Sequence, residues 1–220
     1  MLSGKMRLAS HTICRNSLPF LIPVLEQVAP YVDKYFIALS EFSDDGTLEA
    51  IQSWNSPKPV EFMIESSKPA DLTKIRQFQV DRTTQDWILF LDDDDWWIPE
   101  KLKHALKIAE SGVDAVAVSP YQILDKNHYD SWWGEHKWFT KLFKNEDINY
   151  RGNWPKDMIY KGDRMLYHKT YEMGKVPYGY YHLSEVKPYS FRNADPKWWN
   201  SVKSKKKFTA PIPEELTRLL

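Results

Sequence analysis

Trp87-Ile88-Leu89-Phe90-Leu91-Asp92-Asp93-Asp94-Asp95-Trp96-Trp97 is a run of five apolar residues that ends in four consecutive carboxylates. The apolar run has the length and content of a buried strand. Adjacent carboxylates repel one another, and each raises the cost of ionising its neighbours. A cation among them resolves the repulsion. Hard divalent ions such as Mg²⁺ and Mn²⁺ take oxygen ligands and keep positions open for water or phosphate. If the chain stays extended through the acids, alternate residues share a side, which groups Asp92 with Asp94 and Asp93 with Asp95. The plain alternative is an acidic loop that caps the next helix.

Outward from this stretch, strand-like and helix-like segments alternate. Met6 to Ile13 reads as a first strand, and Leu18, Leu21, Ile22, Leu25 and Val28 then recur at helical spacing. Tyr35 to Leu39 is a second apolar run, followed by the turn-and-cap cluster Ser43-Asp44-Asp45-Gly46-Thr47 and a short helix through Leu48 and Ile51. Val60 to Ile64 reads as a third strand. A helix over 70–82 puts Leu72, Ile75 and Gln79 on one side with Arg76 nearby. Past the acids, Pro99 suits the first turn of a helix whose inner face is Leu102, Ala105, Leu106 and Ala109. Ala115 to Val118 is a fifth strand. This rhythm predicts an α/β fold with a mostly parallel sheet flanked by helices. Ligands of such sheets collect at the carboxyl ends of the strands, where the aspartates fall.

Composition narrows the class. At 220 residues the chain can hold one substantial domain. The 30 basic and 30 acidic residues balance, so no overall field marks nucleic acid or membrane as an obligatory partner. A single cysteine, Cys14, excludes an internal disulfide and suits a reducing, cytoplasmic setting. Met1 to Arg7 lacks the apolar core of a secretion signal, and no run approaches the ~20 apolar residues of a membrane span. Peripheral membrane contact stays open.

The second half differs in character. From Tyr121 onward lie six of the ten tryptophans and ten of the twelve tyrosines, with weak periodicity. Such an aromatic-rich irregular segment suits a shallow site for a flat, hydroxylated ligand, or else Trp132, Trp133, Trp138, Trp198 and Trp199 close a core under loops. The expected organisation is one domain over 1–200, with a nucleotide-binding half (1–120), an acceptor-binding half (121–200) and a basic C-terminal tail (201–220).

Four motifs in order resemble the family 2 type of glycosyltransferase with the GT-A (Rossmann-like) fold. Ile13-Cys14-Arg15-Asn16-Ser17 is similar to the family's first-strand turn. Leu39 to Thr47 is similar to its D-D-x-S-x-D-x-T stretch. Asp86 to Leu102 resembles its strand, D-x-D and following helix. Lys141-Leu142-Phe143-Lys144-Asn145 is similar to an R-L-F-R-N stretch of one branch. The resemblance covers roughly residues 6–145 and extends loosely to 200. One departure is Ser40, which stands where the family has an acid for the base, with Glu41 one step later.

The resemblance implies a metal-dependent, inverting glycosyltransferase that moves a sugar from a nucleoside-diphosphate sugar to an acceptor hydroxyl, with Mn²⁺ or Mg²⁺ on the diphosphate. It implies Asp94 as principal metal ligand and Asp92 as a ligand or ribose contact. Asp93 and Asp95 become helpers or helix caps. Arg76 faces the nucleotide, His11, Thr12 and Arg15 hold base and ribose, and Glu41 takes the role of the missing acid. The base is assigned to Asp157, with Asp163, Glu146 and Asp147 behind it. A late histidine completing the metal site is assigned to His182, with His168 second. The acceptor is a saccharide, a lipid-linked sugar or another hydroxyl. A modified nucleic-acid base, stacked on the aromatic half and held by Lys203 to Lys207, is a less favoured acceptor. A nucleotidyltransferase would be expected to carry a Gly-rich phosphate loop, and no G-x-G-x-x-G is present. A non-catalytic GT-A-like binding domain would not need the acids.

Overall fold

The computed structural model describes residues 6–66, 71–152, 158–167, 173–184, 205–209 and 212–220. Its first half is β1 (Leu8–Cys14), α1 (Leu21–Val28), β2 (Lys34–Ser40), α2 (Thr47–Ser53), β3 (Val60–Glu65), α3 (Leu72–Arg82), β4 (Trp87–Phe90), β5 (Asp95–Trp97) and α4 (Pro99–Glu110). Then follow β6 (Ala115–Asp125), β7 (His128–Asp130), α5 (Ser131–His136), β8 (Phe139–Lys144), β9 (Ile148–Arg151), β10 (Met158–Lys161), β11 (Arg164–Met165) and β12 (Gly174–His182). Last come β13 (Lys205–Lys207) and α6 (Glu214–Thr217).

One large sheet runs β13-β7-β6-β8-β4-β1-β2-β3, with β12 joining β6 to β5; β9, β10 and β11 form a small second sheet. Strands β1 to β4 pair in parallel, as short crossovers through helices require. The second half joins the same sheet. Strand β8 enters antiparallel between β4 and β6, and β12 lies parallel to β6. Among the described residues the aromatic-rich second half contributes mostly short strands, with β6 and β12 the long ones. Alternation of polar and apolar residues is masked where both sheet faces are covered.

Helices cover the sheet as the apolar spacing dictates. In α1, Leu21, Val24, Leu25 and Val28 are buried at i, i+3, i+4 and i+7. In α4, Pro99 opens the first turn and Leu102, Ala105 and Ala109 face inward. Helix α3 starts with Asp71 accepting the Lys74 amide at 3.2 Å, and buries Ile75, Gln79 and Val80. Strand β4 serves both sides of the sheet. Trp87 and Leu89 join the main core, whereas Ile88 packs with Val80, Ala115, Phe143, Ile148, Tyr150 and Leu166. A strand covered on both faces has to be apolar throughout, which explains the unbroken run before the acids.

The C-terminal segment supplies both a sheet edge and a core residue. Lys205, Lys206 and Lys207 form the exposed edge strand β13, where lysines discourage pairing with other chains. Leu216 of α6 is fully buried, so this part of the C-terminal segment packs on the body. No helix among the described residues is long and apolar enough to cross a membrane.

His11 of β1 is buried in this frame, its Nε2 2.7 Å from Thr83 Oγ1 and its ring edge-on to Phe36. Burial lowers its pKa from 6.5 to about 3. The folded chain therefore keeps His11 neutral where the unfolded chain protonates it. That stability is complete above about pH 6.5 and is lost as pH falls toward 3. Over the two units from pH 6.5 to 4.5 the loss amounts to about 2–3 kcal/mol. Urea unfolding at both pH values should show His11→Gln losing less stability than the parent chain. Equal losses would show that His11 is not held neutral.

Candidate functional site

The four aspartates occupy a turn rather than an extended strand. The Asp95 amide donates to the Asp92 carbonyl at 3.1 Å, an i to i+3 closure. This closure overrides the alternation expected from an extended chain. It brings Asp92 and Asp95 to one side, and Asp95 opens β5.

Between those two carboxylates sits a lysine from a distant strand. Lys141 of β8 is 2% exposed, and its Nζ donates to Asp92 Oδ2 at 2.6 Å and Asp95 Oδ2 at 2.5 Å. The rings of Phe90 and Tyr180 each lie 5.0 Å from the ammonium. Burial works against its charge, but Asp92 and Asp95 outweigh that and raise the Lys141 pKa. Burial likewise opposes ionisation of Asp92, yet the charges of Lys141 and Arg76 lower its pKa to about 2. Asp92 is thus held as the anion. Asp93 turns elsewhere and accepts a hydrogen bond from Ser17 Oγ, tying the acid turn to the loop after β1.

The opposite flank is His182, at the end of β12. Its Nδ1 lies 2.8 Å from Asp95 Oδ1 and 3.6 Å from Asp94 Oδ1. Burial disfavours the imidazolium, but Asp94 and then Asp95 dominate and raise its pKa to about 9. A backbone irregularity delivers this histidine. Register shifts between Val176 and Tyr180, Tyr178 adopts a positive φ of 51°, and its amide donates to Ser119 Oγ at 3.0 Å. Beyond the bulge Tyr180, Tyr181 and His182 pair antiparallel with Trp97, Trp96 and Asp95. Gly179 makes this possible by close approach, since a Cβ there would lie 2.2 Å from Val118 Cγ1.

Asp94, Asp95 and His182 each offer a ligand atom, all within 4.8 Å of one another. Two carboxylates and an imidazole fit Mn²⁺, which accepts nitrogen, better than Mg²⁺. Nearby, the Arg76 guanidinium lies 4.5 Å over the Phe90 ring and 5.9 Å from that of Tyr150. The Tyr150 hydroxyl is buried in the same niche and has no hydrogen-bond partner among the described residues. An orphaned buried donor beside an arginine and an ionised aspartate suits a ligand oxygen.

The remaining sequence candidates fall at varied places. Thr12 is buried in β1 with no partner for its hydroxyl among the described residues, and His11 is enclosed under α3. Arg15 and Glu41 are exposed at the ends of β1 and β2. Asp157 and His168 lie outside the described residues, as do Trp198 and Trp199. Asp163 is exposed and paired with Arg151 at 3.0 Å. Glu146 is exposed, 3.4 Å from Lys161. A groove of about 450 Å³ lined by Phe36, Glu61, Met63, Phe78, Gln79 and Arg82 includes none of the aspartates.

The tyrosines divide by side of the strand. Tyr180 and His182 share the acid side, and Tyr180 packs 5.5 Å from Trp97. Tyr181 points the other way, into a cluster centred on Tyr121. That ring stacks on Tyr178 at 4.5 Å and Tyr181 at 5.4 Å, with Tyr129 edge-on at 4.9 Å. This cluster therefore packs on the far side of β12 from His182. Trp132 is 44% exposed.

Residues 12–171 match the family model described as glycosyl transferase family 2, a span that contains the turn, Arg76 and Lys141. The chain belongs to glycosyl transferase family 2. No curated protein matches it. Among solved structures, residues 1–349 of S. aureus TarS share 18% identity and a TM-score of 0.45 over 54% of this chain and 37% of that one. The same fragment in complex with UDP-GlcNAc gives 18% and 0.44. A 4-diphosphocytidyl-2C-methyl-D-erythritol synthase from Anaerococcus prevotii gives 7% and 0.45 over 64% of this chain and 72% of that one. The chain spans little more than a third of the TarS fragment.

Lys141 and Gly179 shape this cluster of acids and histidine, and the sequence alone assigns neither a role. A lysine between a strand threonine and Leu142-Phe143 was the available signal, since a charge on a buried strand needs a partner. In Gly179→Ala, the added methyl meets the β-branched side chain of fully buried Val118. The expected destabilisation is about 1–3 kcal/mol, with the His182 ring resonances displaced in NMR spectra. Unchanged melting and unchanged His182 resonances would contradict this role of the bulge.

Proposed function

We propose that this chain is a metal-dependent glycosyltransferase that moves a sugar from a nucleoside-diphosphate sugar to an acceptor hydroxyl with inversion. The observation that carries the reading is the acid turn of a family 2 chain, with Asp94, Asp95 and His182 gathered at the carboxyl end of β4. Asp94, Asp95 and a deprotonated His182 would hold Mn²⁺, and the ion would act as a Lewis acid on the diphosphate. Ligation requires His182 to release the proton that Asp94 and Asp95 now favour.

The chain's own residues supply the rest. Arg76, flat on Phe90, presents a planar cation to the diphosphate or ribose. The Tyr150 hydroxyl donates to a ligand oxygen in the same niche. Asp92, ionised and fixed by Lys141, accepts from ribose or from a water on the metal. The acceptor oxygen attacks C1 of the sugar as the C1–O bond breaks, and the bonding pair leaves on the diphosphate. Asp157, assigned by sequence order alone, takes the acceptor proton. Thr12, Arg15 and Glu41 are assigned to the nucleoside, and His11 to support of β1 from beneath. We also propose a reducing, cytoplasmic setting, which a sequence with one cysteine, Cys14, supports.

Incubation with Mn²⁺ and a panel of nucleotide sugars, with release of nucleoside diphosphate as readout, tests the proposal. Asp94→Asn is expected to lower donor turnover by two or more orders of magnitude, as lost transition-state charge stabilisation does, while melting normally. Full turnover in Asp94→Asn would remove that residue from the site. No binding or turnover of any donor by the parent chain would overturn the function.

A further inference from the structure

We infer that Lys141 is a positioning residue that stands in for a second cation, fixing Asp92 and Asp95 and confining any divalent ion to the Asp94–His182 flank. The inference rests on the metal reading above and extends it to how many cations the turn admits. Four carboxylates in sequence repel one another unless cations or hydrogen-bond donors compensate them. Here Lys141 Nζ lies 2.6 Å and 2.5 Å from carboxylate oxygens of Asp92 and Asp95, a bridging position between them. The ammonium is enclosed by Phe90, Tyr180 and Phe139, whose ring centre is 5.9 Å away. It comes from β8, held in the sheet between β4 and β6, so it cannot swing out as a surface lysine does.

Two consequences follow from electrostatics. The turn is preformed before metal arrives, because Asp92 and the fully enclosed Asp95 already share the buried Lys141 ammonium. A divalent ion on the other flank is repelled by the ammonium, since unit charges a few ångströms apart interact strongly at protein dielectric. Lys141 thus lowers metal affinity in exchange for a fixed geometry.

Mn²⁺ binding to the full chain, followed by calorimetry with no nucleotide sugar present, tests the inference apart from turnover. Lys141→Met is expected to bind Mn²⁺ at least about tenfold more tightly than the parent, and Lys141→Arg within about threefold of it. Equal affinity for the parent and Lys141→Met would overturn the inference, as would no binding by either. Binding by Lys141→Met alone would uphold the lysine's exclusion of metal and remove the metal from the proposed function. If metal-free Lys141→Met does not fold, the comparison becomes Asp95→Asn against Asp95→Asn/Lys141→Met. Tighter Mn²⁺ binding by the double variant supports the inference, and equal binding overturns it.

Discussion

The ammonium of Lys141 between Asp92 and Asp95 is the interaction on which the site's shape depends. Removing one partner of a buried ion pair leaves an uncompensated charge, a far larger penalty than the pair's own net worth. The pair is therefore weak evidence for stability but strong evidence for constraint. It joins β8 to both ends of the acid turn, with Tyr180 and Phe90 packed against the ammonium. Its distances, 2.6 and 2.5 Å, are those of charge-assisted bonds.

Around that pair the fold works as a set of converging strand ends. Strand β4 carries the acids out of the core, α4 carries the chain away behind Pro99, and β12 returns to lay His182 on Asp95. Ser17 reaches Asp93 from the loop after β1. Asp45 secures the same region, accepting from the Leu18 amide at 2.9 Å and the Thr47 amide at 3.0 Å. Apart from the local Asp45–Thr47 turn, each contact spans many residues of sequence, so the site exists only in the folded chain.

What the sequence disclosed follows from which signals are local. The apolar run Trp87 to Leu91, the periodic face of α1 and Pro99 at the head of α4 express rules acting over a few residues. The α/β class and the glycosyltransferase family were legible from them and from motif order. The pairing within the acid turn was not. A single i to i+3 hydrogen bond replaced two-residue alternation and joined Asp92 to Asp95 instead of Asp94. Lys141 was hidden because its partners lie 46 and 49 residues away. The tyrosines of the second half gave no period because β12 switches register at a bulge, which brings Tyr178 and Tyr181, three residues apart, against the same Tyr121 ring.

The four acids thus meet two kinds of cation, one built into the chain and one proposed to come with the donor. The built-in one is the central claim, and it can be seen directly. Surface lysine ammonium groups exchange protons with water too quickly to give sharp signals, whereas a dry, doubly bonded ammonium does not. A nitrogen–proton spectrum tuned to lysine Nζ groups, recorded on metal-free protein at neutral pH, should show a protected cross-peak that vanishes in Lys141→Met. A spectrum without any such peak would mean that Lys141 is solvated and that the acids are held in some other way.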